Sequence, residues 1–274
     1  MTSKNLEAEA QRASESRQKA IALLQKYGII LVLIVMIIGI SILQPKFLSS
    51  TNLFNVITQS SIFGIMALGM TLVITSKGID LSVGSVLAFT GVIAASLGQV
   101  STATTIIYPG LTDLPVIVPV AAAILVGALI GAVNGGLIAF TGIPAFIATL
   151  GMMTIARGAT LLYTGGKPVS QLIPDMMFIG SKVGPVPVPV IVYGIMIAIT
   201  WVLLGYTSFG KNIYAIGGNI KAAEISGVNV EKNLVMIYGF MGICSAVAAL
   251  VFAGRVGSVH PGAATGYELT AIAA

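Results

Sequence analysis

Charged side chains are scarce in this chain: Asp, Glu, Lys and Arg make up 8% of 274 residues, against about a quarter in ordinary soluble domains. So few cannot cover a globular surface, which excludes a water-soluble fold. The single cysteine, Cys244, lies in an apolar run, which excludes a disulfide framework and a thiolate metal site. The single histidine, His260, stands beside Pro261 with no second ligand nearby in sequence. Neither a zinc site nor a Ser-His-Asp set can be assembled around it. A nucleotide-binding loop is also missing. TGGKP at 164–168 lacks both the earlier glycine and the Ser or Thr after Lys167 that a phosphate loop requires. The expectation is a protein that is not an enzyme and carries no metal and no cofactor. Its net charge of +5 is spread thinly along the chain, which argues against nucleic acid as a partner.

Apolar residues take the place of charge. They form 56% of the chain, with 32 glycines and a mean hydropathy of +1.00. Abundant glycine suits close helix packing in lipid. A bilayer core of about 30 Å needs roughly 20 apolar residues in a helix, and the runs predict spans over 28–43, 53–75, 83–99, 116–140, 144–163, 186–206 and 232–254. An eighth begins near Tyr267 and is too short by Ala274 to cross, so the expectation is that the remaining C-terminal spans are missing. The fold class expected is all-α, a polytopic integral membrane bundle. Residues 1–26 form a polar segment and 27–274 the transmembrane domain. The long polar lead and the lack of a small-residue cleavage site favour an uncleaved anchor over a signal peptide.

Threading from a cytoplasmic N-terminus puts Lys4, Arg12, Arg17, Lys19, Lys26, Lys77, Lys211, Lys221 and Lys232 inside. It puts Lys46, Lys167, Lys182 and Arg255 outside, with Arg157 within a span. That bias is the one the positive-inside rule expects. Two long connections, 100–116 and 164–189, then fall outside. Pro174, Pro185, Pro187 and Pro189 argue against a regular helix in the second. Both connections read either as partner-binding loops or as plain solvated connectors. A faint echo between ALGMTLVITSKG (67–78) and TLGMMTIARGAT (149–160) suggests a repeat only weakly.

Polar residues within the apolar runs are the candidates for a pathway. In KGIDLSVGS (77–85), Gly78 permits a break between spans and Asp80 can cap the next helix. Ser82 and Ser85 can bond irregular backbone, which lipid tolerates only where protein or a cavity surrounds it. Asp80 is either a structural cap or a direct solute ligand. Gln59 and Asn134 could line a path for an uncharged polar solute, although bonding between helices is the commoner role of such groups. Arg157 reads as a pathway group, or as a charge that snorkels or bonds backbone carbonyls. Ion-coupled secondary transport would normally place ionisable groups within the spans, and only Asp80 and Glu268 lie near apolar runs among the acids.

The connection 207–232 has a different character. Gly217 and Gly218 allow a turn, Asn219 suits an N-cap, KAAEIS allows a short helix and Gly227 can end it. Ala222 and Ala223 would give that helix a flat face able to enter a groove, with Glu224 and Ser226 at the rim. An interfacial helix lying on lipid would carry more lysine and aromatic residues. Docking to a soluble motor is the better reading.

FGKNIYAIGGNIKAAEISGVNV (209–230) resembles the cytoplasmic loop of permease subunits in the ribose/galactoside branch of bacterial ABC sugar importers. ALGMTLVITSKGIDLSVGS (67–85), IPAFIATLGMMTIARGATLLYTGGKPVS (143–170) and TGYELTAIAA (265–274) are similar to three further signatures of that branch, in the same order. SGVNVEKNLVMIYG and the 100–116 insertion look closer to galactose/methyl-galactoside permeases than to ribose permeases. The resemblance implies a type II importer fold and import of a neutral monosaccharide through the bacterial inner membrane. It implies two permease subunits in lipid, two cytoplasmic ATPase subunits and a periplasmic or lipid-anchored sugar-binding protein. It also implies that Ala222, Ala223 and Gly227 belong to the coupling helix. Thr270 stands where relatives usually carry Asp, so the role of that acid does not carry over. The alternative functions are a secondary transporter or facilitator of a small polar solute, and a membrane scaffold without transport.

Overall fold

The computed structural model describes residues 3–274, with side chains described for Gln18 and from Ala22 onward. The side chains of Lys4, Arg12, Arg17 and Lys19, four of the expected inside charges, lie outside the described residues. The chain divides into two compact units, 1–56 and 57–274. The first holds α1 (Ser3–Leu43), which is continuous through residue 26, a 3-10 turn at Pro45–Leu48 and the start of α2 (Ser50–Thr75). Pro45 takes the first position of the turn, where no N–H is needed. Asn52 donates from its amide to the Phe47 carbonyl at 2.7 Å and fixes the entry to α2.

The second unit continues α2 and adds α3 (Val83–Leu97), α4 (Ile117–Thr141), α5 (Ala145–Thr164), α6 (Pro174–Ile179) and α7 (Val188–Tyr206). Then come α8 (Ser208–Gly218), α9 (Ile220–Ile225), α10 (Val230–Val256) and α11 (Tyr267–Ala273). Two-residue strands β1 (Val169–Ser170), β2 (Lys182–Val183), β3 (Val186–Pro187) and β4 (Ser258–Val259) pair as β1–β4 and β2–β3, both antiparallel. Among the described residues, six helices are long and apolar enough to cross a membrane: Ala22–Leu43 of α1, and α2, α4, α5, α7 and α10.

The predicted span at 83–99 is corrected. α3 has 15 residues, which at about 1.5 Å each reach only about 22 Å, and nearly all its side chains are buried by protein. It is an internal helix that hydropathy cannot tell from a lipid-facing one. The two segments of the weak echo differ only at their ends: 67–75 and 149–157 are both helical, but α2 stops at Thr75 whereas 149–160 is helical throughout.

α4 and α10 form the central contact. Gly127, Gly131 and Gly135 recur every fourth residue on α4. A Cβ at each would lie 2.4 Å from the Gly242 carbonyl oxygen, 2.1 Å from the Tyr238 carbonyl oxygen and 2.6 Å from the Val235 Cα. Small residues at this spacing let two backbones touch, which in lipid replaces the missing hydrophobic drive.

The proline-rich connections are ordered. Gln99 is buried; its amide donates to the Thr105 (2.7 Å) and Ser170 (3.2 Å) carbonyls while its oxygen accepts from Ile107 N–H. Gln171 Oε1 accepts from the N–H and hydroxyl of Thr104. The expectation of no regular helix in 164–189 is corrected by α6. Pro174 stands in its first turn, the one place where a proline keeps every helical bond. With β1 paired to β4, residues 98–116, 164–187 and 257–259 gather at one end of the bundle. The 76–78 turn meets the α8–α9 hairpin at the other.

Candidate functional site

The polar side chains Ser76, Asp80 and Ser82 of the turn between α2 and α3 are buried, and backbone and side-chain bonds together fix the turn. α2 ends in a six-residue closure: Gly78 N–H bonds the Val73 carbonyl (2.9 Å), and Lys77 N–H bonds that of Ile74 (2.9 Å). Lys77 itself is left-handed at φ 61. Asp80 is 2% exposed, and its Oδ1 accepts from the Ser82 N–H at 2.7 Å and the Ser82 hydroxyl at 2.6 Å. Burial pushes the Asp80 carboxyl up from its ordinary range, and the two bonds from Ser82 pull against that shift. The N-cap position of α3 belongs to Ser82. Asp80 therefore closes an Asx turn just before the helix, a correction to its reading as the cap itself.

Asn134 joins this cluster from α4. Its Nδ2 donates to Ser82 Oγ at 3.0 Å, and because that hydroxyl donates to Asp80, the three side chains form one directed chain, Asn134 to Ser82 to Asp80. Asn134 Oδ1 is buried without a partner. Ser85 is buried one turn on and donates to the Ser82 carbonyl at 2.8 Å, so its bond is local to α3. Gln59 is not part of the cluster. It accepts from Arg255 Nη1, tying α2 to the last turn of α10.

Thr149, Tyr238 and Arg157 complete the surroundings, and the first two escaped the sequence reading. Thr149 accepts from Leu81 N–H at 3.2 Å, and Tyr238 donates to the Ile79 carbonyl at 3.3 Å. Both look like ordinary span residues in sequence, and only the fold brings them to the turn. Arg157 Nη1 donates to the Pro261 and Ala263 carbonyls at 2.7 and 2.8 Å. That arrangement is the backbone-carbonyl alternative. It satisfies an irregular segment between α10 and α11 that has no helical partners of its own. Glu268 lies close by, its Oε2 2.7 Å from where a Cβ on Gly84 would stand, in the first turn of α3. Thr270 is exposed on α11.

Replacing Asp80 by Asn keeps an oxygen for both Ser82 bonds, whereas Leu leaves the Ser82 N–H and hydroxyl unpaired. Each loss costs about 1–3 kcal/mol. Detergent extraction followed by size-exclusion chromatography should recover Asp80→Asn like wild type and lose most of Asp80→Leu. Equal recovery of the two would show that the turn does not depend on these bonds.

The second site is the hairpin formed by α8 and α9. Thr207 caps α8 by accepting from Gly210 N–H (3.2 Å), and Asn219 caps α9 by accepting from Ala222 N–H (3.1 Å). Gly227 is left-handed at φ 86, and its N–H bonds the Glu224 carbonyl. Gly217 and Gly218, expected in a flexible turn, are instead the last residues of α8. The flat face needs a correction as well. Ala223 is buried with Ile216 and Val230, so its side chain faces inward and holds the hairpin on α10. Ala222, Glu224, Ser226 and Gly227 are exposed, and Ile225, which sequence reasoning passed over, is 89% exposed. The sequence carries no sign of that exposure, which the helical rotation of α9 sets.

Residues 52–274 match the family described as branched-chain amino acid transport system / permease component. The ribose import permease RbsC of Escherichia coli K12 is 42% identical over 270 residues, covering 96% of this chain and 80% of that protein. RbsC of Bacillus subtilis 168 is 40% identical over 269 residues, 95% of this chain and 79% of that one. The galactose/methyl galactoside import permease MglC of Salmonella typhimurium is 39% identical over 259 residues, 92% and 77%. These identities give the galactoside relatives no edge over the ribose ones, contrary to the lean read from the sequence. No solved structure matches the chain. A family match over residues 52–274, together with a bundle of helices long and apolar enough to cross a membrane, makes this chain a member of that family of multi-pass transport permeases.

Proposed function

We propose that the chain is the membrane permease subunit of an ATP-driven importer for a neutral monosaccharide of the ribose or galactose class. The observation that carries this reading is the identity of about two residues in five with relatives named as ribose and galactoside import permeases. The exposed hairpin supports it, offering Ala222, Glu224, Ile225 and Ser226 to a soluble partner. In this reading two permease subunits enclose the path, cytoplasmic ATPase subunits dock on α9, and a sugar-binding protein delivers solute at the end where Gln99 and β1 lie. The N-terminus is cytoplasmic, and membrane lipid surrounds the exposed faces of the spans. The permease itself makes and breaks no covalent bond. ATP acts on the ATPase subunits, by binding one of two states of the whole complex more tightly than the other, the only way a ligand can drive such a switch.

Uptake of labelled ribose, galactose and leucine into vesicles holding the permease, its ATPase and its binding protein tests the reading. The sugars should accumulate with ATP and leucine should not. Accumulation of leucine alone would instead favour the amino-acid substrates in the family description. Loss of uptake to an uncoupler while ATP stays high would favour a secondary transporter. Ala222→Arg, which changes an exposed position, should reduce co-purification of the ATPase by about tenfold, the usual scale for a central interface residue. It should leave the extracted permease monodisperse. Wild-type co-purification would show that α9 is not the docking element.

A further inference from the structure

Lys77 occupies a backbone position that normally selects glycine. It is left-handed at φ 61, in the place where helices usually end on Gly or Asn, and a residue with a Cβ is disfavoured there by about 1–2 kcal/mol. The glycine comes one residue later, where Gly78 has no room for a Cβ: it would lie 2.5 Å from Tyr238 Oη. Lys77 holds its place with its side chain, for Nζ donates to the Gly218 carbonyl at 3.1 Å. Gly218 is the last residue of α8, where carbonyls lack helical partners and the helix dipole is negative.

The same two helix ends touch through backbone. A Cβ on Gly217 would lie 1.8 Å from the Thr75 carbonyl oxygen, so the C-terminal ends of α2 and α8 abut, both negative, and the Lys77 ammonium bonds the α8 end. Beyond the contact the chain runs directly into Ile79, whose carbonyl holds Tyr238, and Asp80, which anchors Ser82 and Asn134. Residues 75–80 are therefore the short path from the exposed hairpin to the buried polar cluster.

We infer that Lys77 is a positioning residue for transport, tying the end of α8 to the α2–α3 turn so that movement of the hairpin reaches the Asp80–Ser82–Asn134 cluster. The inference rests on the importer reading above. Lys77→Gly takes away the whole side chain, stem and ammonium, at a left-handed position that glycine adopts without strain; Lys77→Arg restores a stem and a cation.

The test uses the complete complex of permease, ATPase and binding protein. In vesicles, Lys77→Gly should keep ATP hydrolysis within about twofold of wild type while uptake of labelled ribose or galactose falls about tenfold, within the usual range of coupling between sites. Lys77→Arg should recover most of the loss. Hydrogen exchange of residues 76–86 in the detergent complex, with and without ATP, reads the link without any sugar. The wild type should respond to ATP and Lys77→Gly should not. An equal response in both, or none in wild type, overturns the inference, as does a parallel fall in hydrolysis and uptake. A lost exchange response with no wild-type uptake of either sugar would sustain the link and sink the substrate reading alone.

Discussion

Gly131→Leu should leave no properly packed membrane domain. A Cβ there would lie 2.1 Å from the Tyr238 carbonyl oxygen and 2.8 Å from its carbon. These are backbone atoms of a long helix, which cannot swing aside as a side chain tip can. Overpacking a core by a few methylenes costs about 1–3 kcal/mol when neighbours adjust, and here the two helices must separate along their contact. Gly127 and Gly135 would lose their contacts in the same movement, and so would the Tyr238 bond to Ile79 that steadies the α2–α3 turn. Size-exclusion chromatography after detergent extraction should show aggregate where wild type gives a single peak. Gly136→Leu is the matched control, since a Cβ there meets only Phe140, at 3.8 Å. Equal behaviour of the two variants would mean that α4 and α10 are not in backbone contact.

Arg157→Leu should be the second most damaging change. It removes two charge-assisted bonds, to the carbonyls of Pro261 and Ala263, each worth about 1.5–3 kcal/mol. It also leaves irregular backbone without partners where lipid supplies none. The segment between α10 and α11 should then detach from α5, and thermal unfolding of the purified protein in detergent should move markedly lower. Arg157→Lys should fall between the two, because its ammonium keeps the charge but ends one bond nearer the backbone than Nη1 and lacks the planar N–H pair aimed at the two carbonyls. If Leu unfolds at the wild-type temperature while uptake is lost, the residue works in the pathway and not in the packing.

Much of this molecule could be read directly from its residues. Five of the predicted spans, over 53–75, 116–140, 144–163, 186–206 and 232–254, correspond to α2, α4, α5, α7 and α10 within a few residues. Hydropathy and helix length are local properties, and a bilayer imposes both. The hairpin was legible for the same reason: Asn219 caps and Gly227 terminates by interactions with neighbours a few residues away. Ala223 was misread because a run of two alanines carries no sign of which one points inward. Helical rotation and the position of Ile216 and Val230 decide that.

What the sequence determined, then, was everything set by lipid and by near neighbours: an all-helical membrane protein, the length and place of its spans, and the caps of its loops. Tertiary structure alone decided that α3 is an internal helix and that Asn134 reaches Ser82 across 52 residues of sequence. It also decided that Arg157 serves backbone 104 and 106 residues away and that Lys77 bridges two helix ends. The physical reason is common to these cases. A polar side chain in an apolar run must find a partner, but the rule names no partner, and the packing of glycine-lined helices chooses it.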